Sequence, residues 1–386
     1  EKGHMKSKSE RVSFSGGSRR GRRPQVICHD NPGNRQIVGA LPQLHEDYTP
    51  TPWLFNEHAQ LIFHSMRKGG QARRKQGTSL SDHHERLTMR DGGLTALYWC
   101  GHDLPPDVPT IVVLHTITGS PDSMAELVRD LRMATGWRMV LCLRRGHADL
   151  PLTTPRMNLF GSTDDLREQL EVIRARFPHS PLYAVGSSAG SGLLVRYLGE
   201  EGEAAPFRAS FAYCPGYDIN IGFDVVHPWY SRMMAKKLVR QFITRNEAEL
   251  SHLATMPRLQ VADNLTTLNQ TCYELAGFSD YESYDRASNP MHVFADIKKP
   301  IMVLNAEDDP VCRIENAAPW LNTMLEMPNV ILVTTAEGSH CAHYERWGAR
   351  SWPARLMATY FSHINLMQHE LPPVCAATEA AHAEIP

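Results

Sequence analysis

Three stretches of this chain carry residues that could together do nucleophilic acyl chemistry. Ser188 stands at the centre of Gly186-Ser187-Ser188-Ala189-Gly190, and two later strand-like runs end in Glu307-Asp308-Asp309 and in Gly338-Ser339-His340. A serine hydroxyl is a weak nucleophile at neutral pH, so it needs a histidine to take its proton and a carboxylate to orient that histidine. The pattern G-x-S-x-G suits such a serine, because small flanking residues let the backbone turn sharply from strand to helix and leave the hydroxyl exposed. The order serine, acid, histidine is the one this kind of turn requires. Glu307, Asp308 and Asp309 compete for the orienting role, and His343 is a nearby rival to His340. Backbone donors must also meet the oxyanion of a tetrahedral intermediate. One is expected from Ala189, directly after the serine. The second is expected from the loop His115-Thr116-Ile117-Thr118-Gly119-Ser120, with Ile117 favoured and Thr116 as the alternative. His115 reads as a structural residue at the base of that loop. His340 with His343 could suggest a metal, but no further ligand cluster accompanies them in the sequence, so neither a metal nor a cofactor is expected.

The surrounding pattern supplies elements able to position these groups. Leu182 to Val185 is an apolar run of strand length, and Leu193, Leu194, Tyr197 and Leu198 follow at helical spacing. Strand and helix patterns alternate on both sides: strands near 110–115, 139–143, 209–214, 301–305 and 330–334, and helices near 123–135, 164–177 and 352–364. Such alternation predicts an α/β fold with a mostly parallel sheet and helices on both faces. Asp91-Gly92-Gly93 between two strand-like runs predicts an edge hairpin. The alternation breaks from about 216 to 288, which reads as an inserted helical cap over the strand ends where ligands bind. Residues 1–47 are expected to form a disordered basic arm, 48–366 the folded domain and 367–386 a disordered tail.

Composition narrows the possibilities without choosing among them. The 386 residues are 42% hydrophobic and 21% charged with a formal net charge of -2, which gives no overall pull toward nucleic acid. Eight cysteines are scattered with no C-x-x-C pair, as expected for reduced, mostly buried thiols. No apolar run approaches the roughly 20 residues needed to span a bilayer, and the start of the chain is basic where a signal peptide would be apolar. A cytoplasmic or peripheral membrane location is expected, and the basic arm could touch anionic lipid, although a solvated tail is the plainer reading.

Several motifs together resemble the embryogenesis-associated, YheT-like branch of the α/β-hydrolases, which includes abhydrolase-domain lipases of animals and ethyl-ester synthases of yeast. Trp53 to Gln60 resembles W-x-x-N-x-H-x-Q, and Asp91-Gly92-Gly93 its D-G-G hairpin. His115 to Ser120 resembles H-G-L-T-G-S. Arg145-Gly146-His147, Leu152-Thr153-Thr154-Pro155-Arg156 and Thr163-Asp164-Asp165-Leu166 resemble the R-G-C, L-T-T and T-x-D-L run. Asn305 to Pro310 resembles N-A-x-D-D-P, and Gly338-Ser339-His340 resembles G-G-H. The match runs in order over about residues 48 to 365. It implies the α/β-hydrolase fold, and it implies Asp309, the acid directly before Pro310-Val311, as the partner of His340, with Asp308 as the fallback. Two positions depart from the pattern. Thr116 stands where the family has glycine, where a side chain could narrow the acyl pocket, and Ser339 replaces the glycine before the histidine. The animal relatives carry an N-terminal membrane helix not seen in this sequence, so membrane attachment is not expected from the resemblance.

The expected function is hydrolysis of a lipid-like carboxylic ester through an acyl-Ser188 intermediate. The resemblance implies an acylglycerol, a phospholipid or a medium-chain acyl ester as the small-molecule partner. Transfer of the acyl group to an alcohol by the same triad is a second expectation, and a non-catalytic binding module is a third.

Overall fold

The computed structural model describes residues 21–370. The expectations for the basic arm at residues 1–20 and for the chain beyond 370 fall outside the described residues. The strands of the main sheet, in chain order, are β1 (Gln25–Cys28), β2 (His83–Thr88), β3 (Leu94–Cys100), β4 (Thr110–Leu114), β5 (Arg138–Leu143), β6 (Leu182–Ser187), β7 (Phe207–Tyr213), β8 (Ile301–Ala306) and β9 (Val330–Thr335). They form one sheet in the order β1-β9-β8-β7-β6-β4-β5-β3-β2. From β5 across to β9 all neighbours are parallel, whereas β3 is antiparallel to β5, β2 to β3 and β1 to β9. The parallel strands β4, β5, β6, β8 and β9 are buried at every residue, as strands covered on both faces must be. The edge strand β2 instead alternates half-buried and exposed residues.

The helices used below are α1 (Pro32–Gly39), α2 (Glu57–Arg73), α3 (Ala125–Thr135), α4 (Thr163–Arg176), α5 (Ala189–Glu201), α6 (Ile219–Val225), α7 (Pro228–Leu238), α8 (Leu265–Thr271), α9 (Tyr281–Ser288) and α10 (Trp352–Glu370). One face of the sheet packs on Leu166, Leu170 and Ile173 of α4 and on Leu194 and Leu198 of α5. The other face packs on Leu131 of α3 and on Leu356 and Phe361 of α10. Asn56 starts α2, its side chain accepting the Ala59 N–H at 2.8 Å, and Ser162 does the same for α4. Among the described residues no helix is long and apolar enough to cross a membrane.

The expected disordered arm is corrected for residues 21–47. Val26 and Ile27 pair with Val333 and Leu332, so β1 covers the outer edge of β9. Helix α1 follows, capped by Asn31, and buries Ile37 and Val38 in the same core as α10. A four-residue strand carries too little periodicity to be read locally, and its stability comes from a partner more than 300 positions away. Residues 367–370, expected in the tail, continue α10.

Helices α6 to α9 lie between β7 and β8. They share a separate core in which Tyr230, Leu238, Phe242, Leu265, Leu268 and Tyr284 are buried. That core also takes in Leu152, Met157 and Leu159 from the connection between β5 and α4, so the cap is clamped to the sheet by a second segment.

Candidate active site

Ser188 sits at the junction of β6 and α5 with φ 52° and ψ −117°. A non-glycine residue in this region is held against strain, typically of order 1–3 kcal/mol. The flanking glycines explain why the turn can be so tight. A Cβ on Gly186 would lie 2.3 Å from the Gly190 carbonyl oxygen, and one on Gly190 would lie 2.2 Å from the Leu114 carbonyl oxygen. The Ser188 N–H donates to the Tyr213 carbonyl at 2.8 Å, which ties the elbow to β7.

Three of the expected residues meet in one hydrogen-bonded chain. Ser188 Oγ is 2.8 Å from His340 Nε2, and His340 Nδ1 is 2.8 Å from Asp309 Oδ2. Asp309 is buried beyond β8, and its other oxygen accepts the N–H groups of Val311 and Cys312, each at 2.8 Å. Every lone-pair direction used by this carboxylate is therefore fixed by backbone or by His340. Burial opposes a charge on His340, but the Asp309 carboxylate together with the neighbouring Cys341 and Cys312 holds the imidazole pKa well above its ordinary value.

The rival residues have other partners. Asp308 accepts the Ser339 N–H at 2.8 Å, and burial pushes its carboxyl up to about 7. Glu307 donates its backbone N–H to Thr335. His343 contacts the Tyr213 hydroxyl at 3.1 Å and the Thr335 hydroxyl at 2.9 Å, and burial pushes its pKa down to about 3. Ser339, at φ 51°, donates its hydroxyl to the Glu57 carbonyl at 2.7 Å, which ties the histidine loop to the start of α2.

The loop after β4 is held from one side. Arg144 Nη2 donates to the Thr116 carbonyl at 2.7 Å and Nη1 to the His115 carbonyl at 3.2 Å. His147 Nε2 lies 2.9 Å from the Ile117 carbonyl. Carbonyl and following N–H point in opposite directions across a trans peptide, so pinning the His115 and Thr116 carbonyls turns the N–H groups of Thr116 and Ile117 the other way. Among the described residues these two N–H groups and that of Ala189 meet no protein acceptor. His115 accepts the Arg144 N–H at Nε2, 3.2 Å, so its Nδ1 carries the proton toward the Thr116 carbonyl 2.8 Å away. Arg144 is the residue that sequence reading missed. The only local signal is the Arg-Arg pair at the end of β5, where the motif draws attention to Arg145. That neighbour does a different task, bridging Asp91 of the hairpin turn and Asp165 of α4 at 2.6–2.8 Å.

Two clefts reach Ser188. The first is lined by Ile117, Phe160, Leu193, Phe223, Val226 and Met234, with Ala189 beside the serine. The second, wider one is bounded by α2 and α7 and includes Thr116, His340, Lys68 and Lys237. Burial lowers the pKa of both ammonium groups, and Lys237 Nζ donates to Thr118 at 3.3 Å. Thr116 lines the second cleft and not the apolar first one, so its side chain does not narrow the apolar channel.

The fold also gathers metal-type ligands that the sequence separates. Cys214, Cys341 and His340 place ligand atoms within 4.8 Å of one another, as do Asp309, Cys312 and His340. Both sets share His340, whose two ring nitrogens already meet Ser188 and Asp309, so a metal held by either set would displace one of those partners. A serine hydroxyl hydrogen-bonded to an imidazole, beside N–H donors and an apolar channel, is an arrangement with the parts that acyl-ester chemistry requires.

Comparison with known proteins shows the fold family and its relatives. A family model described as alpha/beta hydrolase fold matches residues 109–346. Embryogenesis-associated protein EMB8 of Picea glauca is 27% identical over 340 residues, covering 82% of this chain and 71% of that one. Medium-chain fatty acid ethyl ester synthase/esterase 2 of Saccharomyces cerevisiae is 26% identical over 286 residues, covering 66% and 62% respectively. Human phospholipase ABHD3 is 24% identical over 358 residues, covering 89% and 83%.

Proposed function

We propose, from the premise that this chain belongs to the α/β-hydrolase family, that it is a serine hydrolase cleaving lipid-like carboxylic esters through an acyl-Ser188 intermediate. The observation that carries the reading is the Ser188–His340–Asp309 chain, with 2.8 Å at each link, opening onto an apolar cleft. Ser188 Oγ attacks the ester carbonyl carbon while its proton passes to His340 Nε2. Asp309 holds the Nδ1–H tautomer and stabilises the imidazolium. The carbonyl oxygen, now negative, meets the N–H groups of Ala189 and Ile117, with Thr116 as the other donor on the loop. His340 returns the proton to the departing alcohol oxygen, leaving the acyl group on Ser188. Water then enters, is deprotonated by His340 and releases the acid. The apolar cleft suits the acyl chain and the wider cleft the alcohol portion. Names of relatives, a phospholipase, a monoacylglycerol lipase and an ester synthase/esterase, point to the same substrate class.

A second reading follows from the wider cleft, which gives an alcohol as direct a path to the acyl-enzyme as water has. The acyl group would then pass to that alcohol, with His340 removing the hydroxyl proton. The test is labelling by a fluorophosphonate together with hydrolysis of p-nitrophenyl esters, with and without added ethanol. Wild-type protein should label and turn over, and Ser188→Ala should do neither. Folded wild-type protein that fails to label would sink the reading, and ester product in the ethanol arm would favour transfer.

A further inference from the structure

The two helices that flank the wider cleft present an apolar rim and a concentration of positive charge. On α2, Leu61, Ser65 and Lys68 face the cleft, and the adjoining Ile62 and Met66, one turn apart, are 55% and 72% exposed. On α7, Tyr230, Met233 and Lys237 face the cleft, and Trp229, one turn before Met233, is 58% exposed. His58 near the start of α2 lies 2.6 Å from the Tyr230 hydroxyl near the start of α7, with the two rings stacked. Both apolar stripes therefore border one opening. Scattered exposed apolar residues need no explanation, but a set gathered around the mouth of a cleft marks an interaction surface.

The charge on these helices points to what covers it. From His58 to Lys75 the sequence has five Lys or Arg residues and no acid, and from Pro228 to Ile243 it has four and no acid. Arg67 is spoken for by Glu126 at 2.6 Å. Arg73, Arg74, Lys75, Arg232, Lys236 and Arg240 are exposed, and none has a carboxylate partner among the described residues. The chain as a whole carries a formal charge of -2, so this surface is a local excess. Bulky apolar side chains mixed with Lys and Arg on exposed helix faces suit the interface of an anionic bilayer, where the apolar groups enter the acyl boundary and the cations meet lipid phosphates.

We propose that the rim of α2 and α7 docks on an anionic bilayer surface, with Ile62, Met66, Trp229 and Met233 entering it and the wider cleft facing the lipid. Delivery of a lipid ester through that cleft rests on the ester-hydrolase reading; the docking itself does not. The experiment uses full-length protein with Ser188→Ala, sedimented with vesicles of phosphatidylcholine alone or mixed with phosphatidylglycerol. Binding is expected on the anionic vesicles, weakening with salt. Adding Ile62→Ser, Met66→Ser and Trp229→Ser, or Lys236→Glu and Arg240→Glu, should each lower it by roughly tenfold or more. The same rim substitutions in the Ser188 background should leave p-nitrophenyl butyrate hydrolysis unchanged, which also reports that the variants are folded. The proposal is overturned if the protein binds neither vesicle or both equally. It is also overturned if the rim variants bind as strongly as their parent, since residues 1–20 would then carry the contact. Vesicle binding without ester hydrolysis would sink the hydrolase reading and leave the docking surface standing.

Discussion

Asp308 accepts the backbone N–H of Ser339 at 2.8 Å, while its neighbour Asp309 meets the ring of His340 at 2.8 Å. Adjacent carboxylates thus hold adjacent residues of the histidine loop, one by its backbone and one by its side chain. Asp309→Asn should lower kcat by on the order of 10⁴, because the amide favours the wrong imidazole tautomer. Asp308→Asn keeps an oxygen for Ser339 and should stay near wild type, whereas Asp308→Ala should lose roughly tenfold to a hundredfold through misplacement of His340. Steady-state kinetics on a p-nitrophenyl ester separates the three.

Asp308 also makes the fold sensitive to pH. Its folded pKa, about 7, is raised above an ordinary value of 3.8. A raised carboxyl contributes stability that is full below the unfolded pKa and lost as pH rises through the folded one. Wild type should therefore lose stability relative to Asp308→Asn between about pH 4 and pH 7. Urea unfolding of both proteins across that window tests it, and parallel curves would remove Asp308 as the cause.

In the proposed mechanism His340 must be neutral to accept the Ser188 proton, and Asp309 with Cys341 and Cys312 holds its pKa above the ordinary 6.5. The acid limb of kcat/KM should accordingly lie above pH 6.5. Asp309→Asn removes the largest of the contributions that oppose burial and should move the limb downward. A limb that stays in place in the variant would assign it to another group.

Arg144 touches no substrate in the mechanism, yet it fixes the loop that offers the Ile117 N–H. Lysine cannot reach the two carbonyls with a planar fork. Arg144→Lys should lower kcat by roughly 10²-fold, the cost typical of losing one oxyanion donor, with little change in KM. A purely structural role would appear instead as lower stability with normal kcat in the folded fraction.

The two clefts predict separate specificities. Val226→Trp should obstruct the apolar channel and shift preference toward shorter acyl chains. Thr116→Gly should leave the acyl preference unchanged and widen tolerance for the alcohol portion. A series of p-nitrophenyl esters measures the first, and a series of alkyl acetates the second.

Much of the candidate site was legible in the chain because its parts are local. Gly186 to Gly190 specify an elbow by backbone space alone, and the acids and His340 follow apolar strands in an order that the fold demands. The sequence also determined the alternation that makes a covered parallel sheet, since strands buried on both faces must be apolar throughout. What only the tertiary structure decided are choices among near neighbours and unions of distant segments. Asp309 and Asp308 are equally acidic in sequence; the packing beyond β8 turns one toward His340 and the other toward Ser339. Arg144 and Arg145 are chemically alike, and alternate directions along one strand end send the first under the loop after β4 and the second to Asp91 and Asp165. Strand β1 and the gathering of Cys214, Cys312 and Cys341 around His340 depend on contacts that no local period encodes. The cleft rim joins α2 to α7 across more than 150 positions, for the same reason: burial and pairing are properties of the folded surface, and they have no signature until the chain has closed on itself.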